Sequence, residues 1–194
     1  MSNGATQGGP AVPSPFDRLA AAGHLIHAEA GFVMGFGPRT VLVAGCGAGR
    51  VAIELFRRGV TVVGVDSSLA LLQDAAAAEP GVEWFRSDLD ALSLPDPDSP
   101  SHLRLFDMVL VPDGVDLRGR NPSDTALAAM MDHLVDGGFL VVGLARPRDA
   151  VTRHDLVCTG LGMVPEARFA SWTREPWRLD SGYAVCVHRR PIPD

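Results

Sequence analysis

Short runs of consecutive apolar residues alternate along this chain with stretches in which apolar positions recur every three or four residues. Strands buried on both faces give the first pattern and helices packed on one face give the second. Thr40 to Ala44 is the first strand. Val51 to Arg58 is helical, with Gly59 as its stop, and Val60 to Val65 is the second strand. Ser67 or Ser68 can cap the next helix, which runs through an alanine-rich stretch to about Glu79 and ends at Pro80-Gly81. Val82 to Arg86 and Phe106 to Val111 read as strands three and four, separated by an exposed connection at Pro95 to Ser101. Pro122 to Val135 carries Leu127, Met130, Met131 and Leu134 at helical spacing, Asp136-Gly137-Gly138 turns, and Phe139 to Leu144 is a fifth strand. A helix from about Asp149 to Gly160 and strands near Arg168 to Thr173 and Gly182 to Arg189 complete the series.

This order predicts an α/β fold: a Rossmann-like, doubly wound, mostly parallel seven-stranded sheet with helices on both faces. No helical stretch separates the last two strands, so they form a closing antiparallel hairpin, whose open edge suits a homodimer. Residues 1–15 are poor in anything to bury and predict a disordered tail, leaving 16–194 as a single domain. Within it, Phe16 to about Gly31 is loosely helical, interrupted by Gly23.

Composition narrows the chemistry. The 194 residues are 46% hydrophobic, sufficient for a core under both faces of a sheet. Seventeen basic residues against 23 acidic ones give a net charge of −6, and no basic run supplies the footprint a nucleic acid needs. All the basic side chains that are not histidine are arginine, which excludes Schiff-base chemistry on lysine. Cys46, Cys158 and Cys186 are widely spaced and odd in number, so no disulfide framework or thiolate zinc site is indicated and a reducing cytoplasm fits best. No apolar run reaches the roughly 18 residues of a membrane span.

The most informative segment is Gly45-Cys46-Gly47-Ala48-Gly49-Arg50, between the first strand and its helix. Glycines at alternate positions allow a tight turn and close approach of a ligand to the backbone at a helix start. Asp66 follows 21 residues after Gly45, at the end of the second strand, where a carboxylate can accept from both ribose hydroxyls. A dinucleotide fingerprint would place its third glycine at position 50, where this chain has Arg50. The pattern therefore favours S-adenosylmethionine over a pyrophosphate-containing cofactor.

On Val41 to Arg50, Val62 to Ser67, Ser87-Asp88-Leu89, Phe106 to Leu110 and Leu134 to Val142 the chain resembles the class I S-adenosylmethionine-dependent methyltransferases. More narrowly, His24 to Ala30, Ala170 to Trp177 and Tyr183 to Arg190 look like a group of compact bacterial methyltransferases. The resemblance implies S-adenosylmethionine as cofactor. Gly45, Cys46, Gly47 and Gly49 would face its methionine part, and Asp66 with Ser67 its ribose. Asp88 and the Leu89 amide would recognise the adenine, which Val65 and Leu69 would sandwich. It also exposes a departure, because the family's first strand carries a carboxylate two residues before the first glycine, where this chain has Val43.

The expected reaction is methyl transfer to an oxygen or nitrogen of a small-molecule acceptor. His27 is the candidate base, and Asp113, after the fourth strand, is the second candidate and a possible substitute for the missing carboxylate. His24 and His27 share a helical face but lack further ligands at a recognisable spacing, so no metal is expected. Trp172, Trp177 and Tyr183 suit either an acceptor pocket or core packing. Val43 motivates a second expectation, a degenerate member of the fold that binds or regulates without catalysis.

Overall fold

The computed structural model describes residues 27–112, 122–145 and 147–193. Helices α1 (Ala28–Met34), α2 (Arg50–Arg57), α3 (Leu69–Ala78), α4 (Asp124–Asp132) and α5 (Pro147–Gly160) surround seven strands. These are β1 (Thr40–Ala44), β2 (Thr61–Asp66), β3 (Glu83–Arg86), β4 (Phe106–Val111), β5 (Leu134–Ala145), β6 (Val164–Phe169) and β7 (Tyr183–Arg189). They form one sheet in the order β3-β2-β1-β4-β5-β7-β6. The first five are parallel, and β7 runs antiparallel to both β5 and β6. The order reverses between β1 and β4, which is where a doubly wound sheet opens its ligand crevice.

Strand alternation divides the core between the two faces. Val41 and Val43 of β1 point with Val62, Met108 and Leu110 toward Phe32 and Val33 of α1, Val51 and Leu55 of α2 and Leu72 of α3. Leu42 and Ala44 point the other way, with Val63, Val65, Val109 and Val111, toward Leu127 and Met130 of α4 and Val151 and Cys158 of α5. Uninterrupted burial of residues 41 to 44 is the reason β1 reads as a solid apolar run rather than an alternating one.

Three boundaries depart from the pattern-based reading. Helix α4 stops at Asp132 and β5 begins at Leu134, with a bulge between the pairs Phe106–Leu134 and Met108–Phe139. Gly137 takes φ +78 within it, so the Asp136-Gly137-Gly138 sequence bends the strand instead of preceding it. Strand β6 lies at Val164–Phe169 rather than near 168–173, because its pairing with β7 fixes the register that the weak local pattern leaves open. Helix α1 continues through Gly31 to Met34, since Phe32 and Val33 carry its buried face. The tail expected at residues 1–15 and the pattern starting at Phe16 lie outside the described residues.

The edge strand of the closing hairpin is β6, and it is poorly suited to pairing. Pro165 lacks a donor, and Glu166 pairs with Arg189 beside it. No described helix is long and apolar enough to cross a membrane.

Candidate functional site

Strand β1 ends at Ala44, and the chain turns through Gly45, Gly47 and Gly49 with φ of +70, +56 and +85. The amides of Gly45 and Cys46 both donate to the Val65 carbonyl, at 2.8 and 2.9 Å, which fastens the turn to β2. Gly49 is the N-cap of α2 in the left-handed conformation. The glycines answer different demands. A Cβ on Gly49 would lie 2.6 Å from the Trp84 ring and 3.1 Å from Ala75 and Ile53, whereas one on Gly47 would meet nothing within 4 Å. Gly49 is required by packing, and Gly47 faces open space.

Asp66, at the carboxyl end of β2, ties the turn together. Its Oδ2 accepts from the Gly47 amide at 2.9 Å and its Oδ1 from the Ser68 amide at 2.8 Å. Each oxygen keeps a second lone pair, so the carboxylate can take a ribose hydroxyl without releasing the backbone. Ser68 rather than Ser67 caps α3, accepting from the Leu71 amide, and exposed Ser67 offers its carbonyl to Arg86. Asp88 is exposed and caps the 3-10 turn Leu89–Ala91 by accepting from the Asp90 amide at 3.3 Å, with Leu89 half-buried behind it.

The remaining expected contacts divide. Leu69 is half exposed at the rim, free to cover a planar ring, while Val65 is wholly enclosed in the core and reaches no surface. The Cys46 thiol is buried, and burial first and Asp66 second push it up to about 12, so it packs and does not react. Val43 is fully enclosed on the α1–α2 face.

A carboxylate nevertheless stands at the start of α2. Glu29 of α1, only 4% exposed, forks onto the Arg50 guanidinium, with Nη1 donating to Oε2 at 3.0 Å and Nη2 to Oε1. Sequence spacing could not reveal this pair, which joins residues 21 apart on two helices. His27 lies at the N-cap of α1, its Nε2 3.9 Å from Glu54 and its buried Nδ1 without a hydrogen-bond partner. Glu54 is four residues beyond Arg50, so His27 is set back from the glycine turn by about 6 Å or more along α2. It borders a cavity of about 430 Å³ with Phe32, Arg58, Trp172 and Arg174. Arg174 holds φ +64 and lies over the rings of Phe32 and Phe36, at 4.9 and 5.1 Å. Asp113 and His24 lie outside the described residues.

A second polar cluster occupies the opposite face. His154 and Cys158 of α5 and His188 of β7 are buried together, with ligand atoms all within 4.8 Å of one another. Burial, reinforced by His188 and Arg168, holds His154 down at about 3. Burial also lowers His188, against the opposing pull of Asp155, and lifts the Cys158 thiol to about 12. The one local signal was the His-x-x-x-Cys spacing on a helix, with its third member 30 residues away.

The open face of Gly47, the spare lone pairs of Asp66 and the exposed Leu69 and Asp88 fit an adenosine bearing an amino-acid tail. Comparison with known proteins identifies the family. Residues 41–138 match the methyltransferase domain family. The chain is 35% identical over 160 residues to a trans-aconitate 2-methyltransferase of Azoarcus sp. (strain BH72). That match covers 79% of this chain and 51% of the relative, so the chain spans about half the relative's length. Among solved structures, a TehB-like S-adenosylmethionine-dependent methyltransferase from Corynebacterium glutamicum superposes with a TM-score of 0.76 at 29% identity, covering 90% of this chain and 94% of that one. The N-methyltransferase NodS from Bradyrhizobium japonicum, in complex with S-adenosyl-l-homocysteine, has the same fold at a TM-score of 0.61 and 18% identity, over 92% and 89% of the two chains. The chain belongs to the class I S-adenosylmethionine-dependent methyltransferase family.

Proposed function

We propose that this protein transfers the methyl group of S-adenosylmethionine to an oxygen or nitrogen of a small-molecule acceptor. The observation that carries the reading is the Asp66 strut, which holds the glycine turn open around Gly47 at the crevice of the sheet. The trans-aconitate methyltransferase relative, which acts on a small molecule, supports that class of acceptor. When bound, the cofactor supplies a methyl carbon already activated by a sulfonium charge. The chain contributes alignment and exclusion of water. Asp66 holds the ribose, Asp88 and the Leu89 amide meet the adenine under Leu69, and the turn backbone seats the methionine part. Glu29, carried in from α1, is engaged by Arg50 and fixes that guanidinium at the start of α2. His27, which borders the cavity with Trp172 and Arg174, is the residue this reading offers as base where the acceptor must lose a proton.

A second reading follows from Val43: the fold has lost cofactor affinity and acts as a binding partner. Calorimetric titration with S-adenosylhomocysteine separates the two. Micromolar binding that weakens at least about tenfold in Gly47→Ala supports the enzyme reading, and radiolabelled methyl transfer to a panel of small acids and amines then identifies the acceptor class. Absence of binding at millimolar ligand by the correctly folded protein refutes it. His27→Gln should lower the methyl-transfer rate while leaving S-adenosylhomocysteine affinity unchanged.

A further inference from the structure

We propose that His154, Cys158 and His188 form a metal site for a thiophilic divalent cation of the zinc type, joining α5 to β7. All three side chains are buried, at 4%, 0% and 1% exposure, and each offers one ligand atom within 4.8 Å of the others. His154 Nε2 lies 3.6 Å from Cys158 Sγ. Nitrogen and sulfur ligands at about 2.0 and 2.3 Å from a tetrahedral zinc stand about 3.6 Å apart, so this pair already has the required span. The residues lie four apart on α5, which puts them on one face.

A hydrogen bond from Cys158 to His154 would account for those two residues alone. It leaves the other histidine out. Nε2 of His188 lies 3.3 Å from Asp155 Oδ1, but its Nδ1 has no hydrogen-bond partner, although the residue is almost wholly enclosed. His133 shows how this fold treats a purely structural histidine. It is equally buried, yet its Nε2 accepts from the Leu94 amide at 3.3 Å and its Nδ1 donates to the Arg104 carbonyl at 2.7 Å. His188 is held on one side only, by Asp155, whose Oδ1 faces Nε2 and provides negative charge beside the three ligands. Arg168 opposes a cation there, but its guanidinium is engaged by the other Asp155 oxygen and lies over the Trp177 ring at 4.8 Å.

A small opening lies against one of the three residues. A small cavity of about 40 Å³ between α4 and α5 is bordered by His154, Leu127, Arg153 and Val157. The location argues for a structural role. His188 registers with Leu140 on β5 and Pro165 on β6, in the antiparallel part of the sheet, whereas the glycine turn closes off β1. Metal binding should therefore leave S-adenosylhomocysteine affinity unchanged and raise the melting temperature, since only the folded chain assembles the three ligands.

The test uses the full chain, reduced and stripped with a chelator, and titrated with Co2+ as a spectroscopic stand-in for zinc. The expected result is one equivalent bound, with a thiolate charge-transfer band and the intense visible bands of a tetrahedral site. Stoichiometric Zn2+ should displace it. Cys158→Ser should abolish the thiolate band while far-UV circular dichroism stays native. X-ray absorption of the zinc-loaded natural chain provides a check that does not depend on any variant folding, and should show one sulfur near 2.3 Å and two imidazoles near 2.0 Å. No binding by the reduced natural chain would overturn the proposal. So would a thiolate band that persists in Cys158→Ser, or a zinc shell without sulfur.

Discussion

Two glycines of one turn should fail in opposite ways when given a methyl group. Gly49→Ala places a Cβ 2.6 Å from the Trp84 ring and 3.1 Å from Ala75 and Ile53, at φ +85. The left-handed backbone costs about 1–2 kcal/mol and overpacking about 1–3 kcal/mol more, while loss of unfolded-state entropy returns about 0.4–1 kcal/mol. The net is a loss of about 2–4 kcal/mol, a fall in melting temperature of roughly 4–16 °C for a chain of this size. Gly47→Ala incurs the backbone term alone, at φ +56, because its Cβ meets no atom of the described residues within 4 Å. Its stability should fall by about 1 kcal/mol or less. Its methyl instead enters the space assigned to the ligand, so S-adenosylhomocysteine affinity should drop at least about tenfold, the equivalent of 1.4 kcal/mol of lost contact. Thermal melts and calorimetric titrations of both variants, run in parallel, decide the matter. Equal losses of stability, or a Gly47→Ala protein that binds like the natural one, would refute the division of labour within the turn.

Other perturbations follow from the same geometry. Asp66→Ala removes a charged acceptor from two backbone amides as well as the ribose contact, so it should cost about 2 kcal/mol of stability besides abolishing ligand binding. Asp66→Asn, which keeps one acceptor oxygen, should melt between the two. Val43→Asp, the substitution that restores the family's residue, buries an unpartnered carboxylate at a site of 0% exposure and should destabilise by about 3 kcal/mol or more. An unchanged melting temperature with tighter S-adenosylhomocysteine binding would instead show that the position opens onto the ligand. The three thiols of the metal-free native protein should be silent to a thiol reagent at pH 8 and all appear on unfolding. Their pKa values rise from 9.0 in the open chain to about 12, 12 and 11 in the folded one. The folded state thus holds protons that the unfolded chain loses. The stability associated with them is intact below pH 9 and should decline above it, by about 1.4 kcal/mol per thiol per pH unit up to about pH 11, as alkaline melts can record.

The sequence by itself determined the alternation of strands and helices, the parallel body of the sheet and the position of the glycine turn. Each rests on information only a few residues long: an apolar run for a strand buried on both faces, a 3.6-residue period for a helix, glycines where φ must be positive. The place of Asp66 at the carboxyl end of β2 was legible for the same reason, since strand, turn and helix lengths fix how far along the chain that end must fall. The register of β6 and the bulge in β5 were not legible, because pairing with β7 and β4 decides them. Nor was the distinction between Gly47 and Gly49, which depends on where Trp84 of another strand lies. The Glu29–Arg50 pair and the grouping of His154 and Cys158 with His188 belong to the tertiary structure alone. Their members come from separate elements, and only packing on a shared face removes them from water and gives them each other as partners.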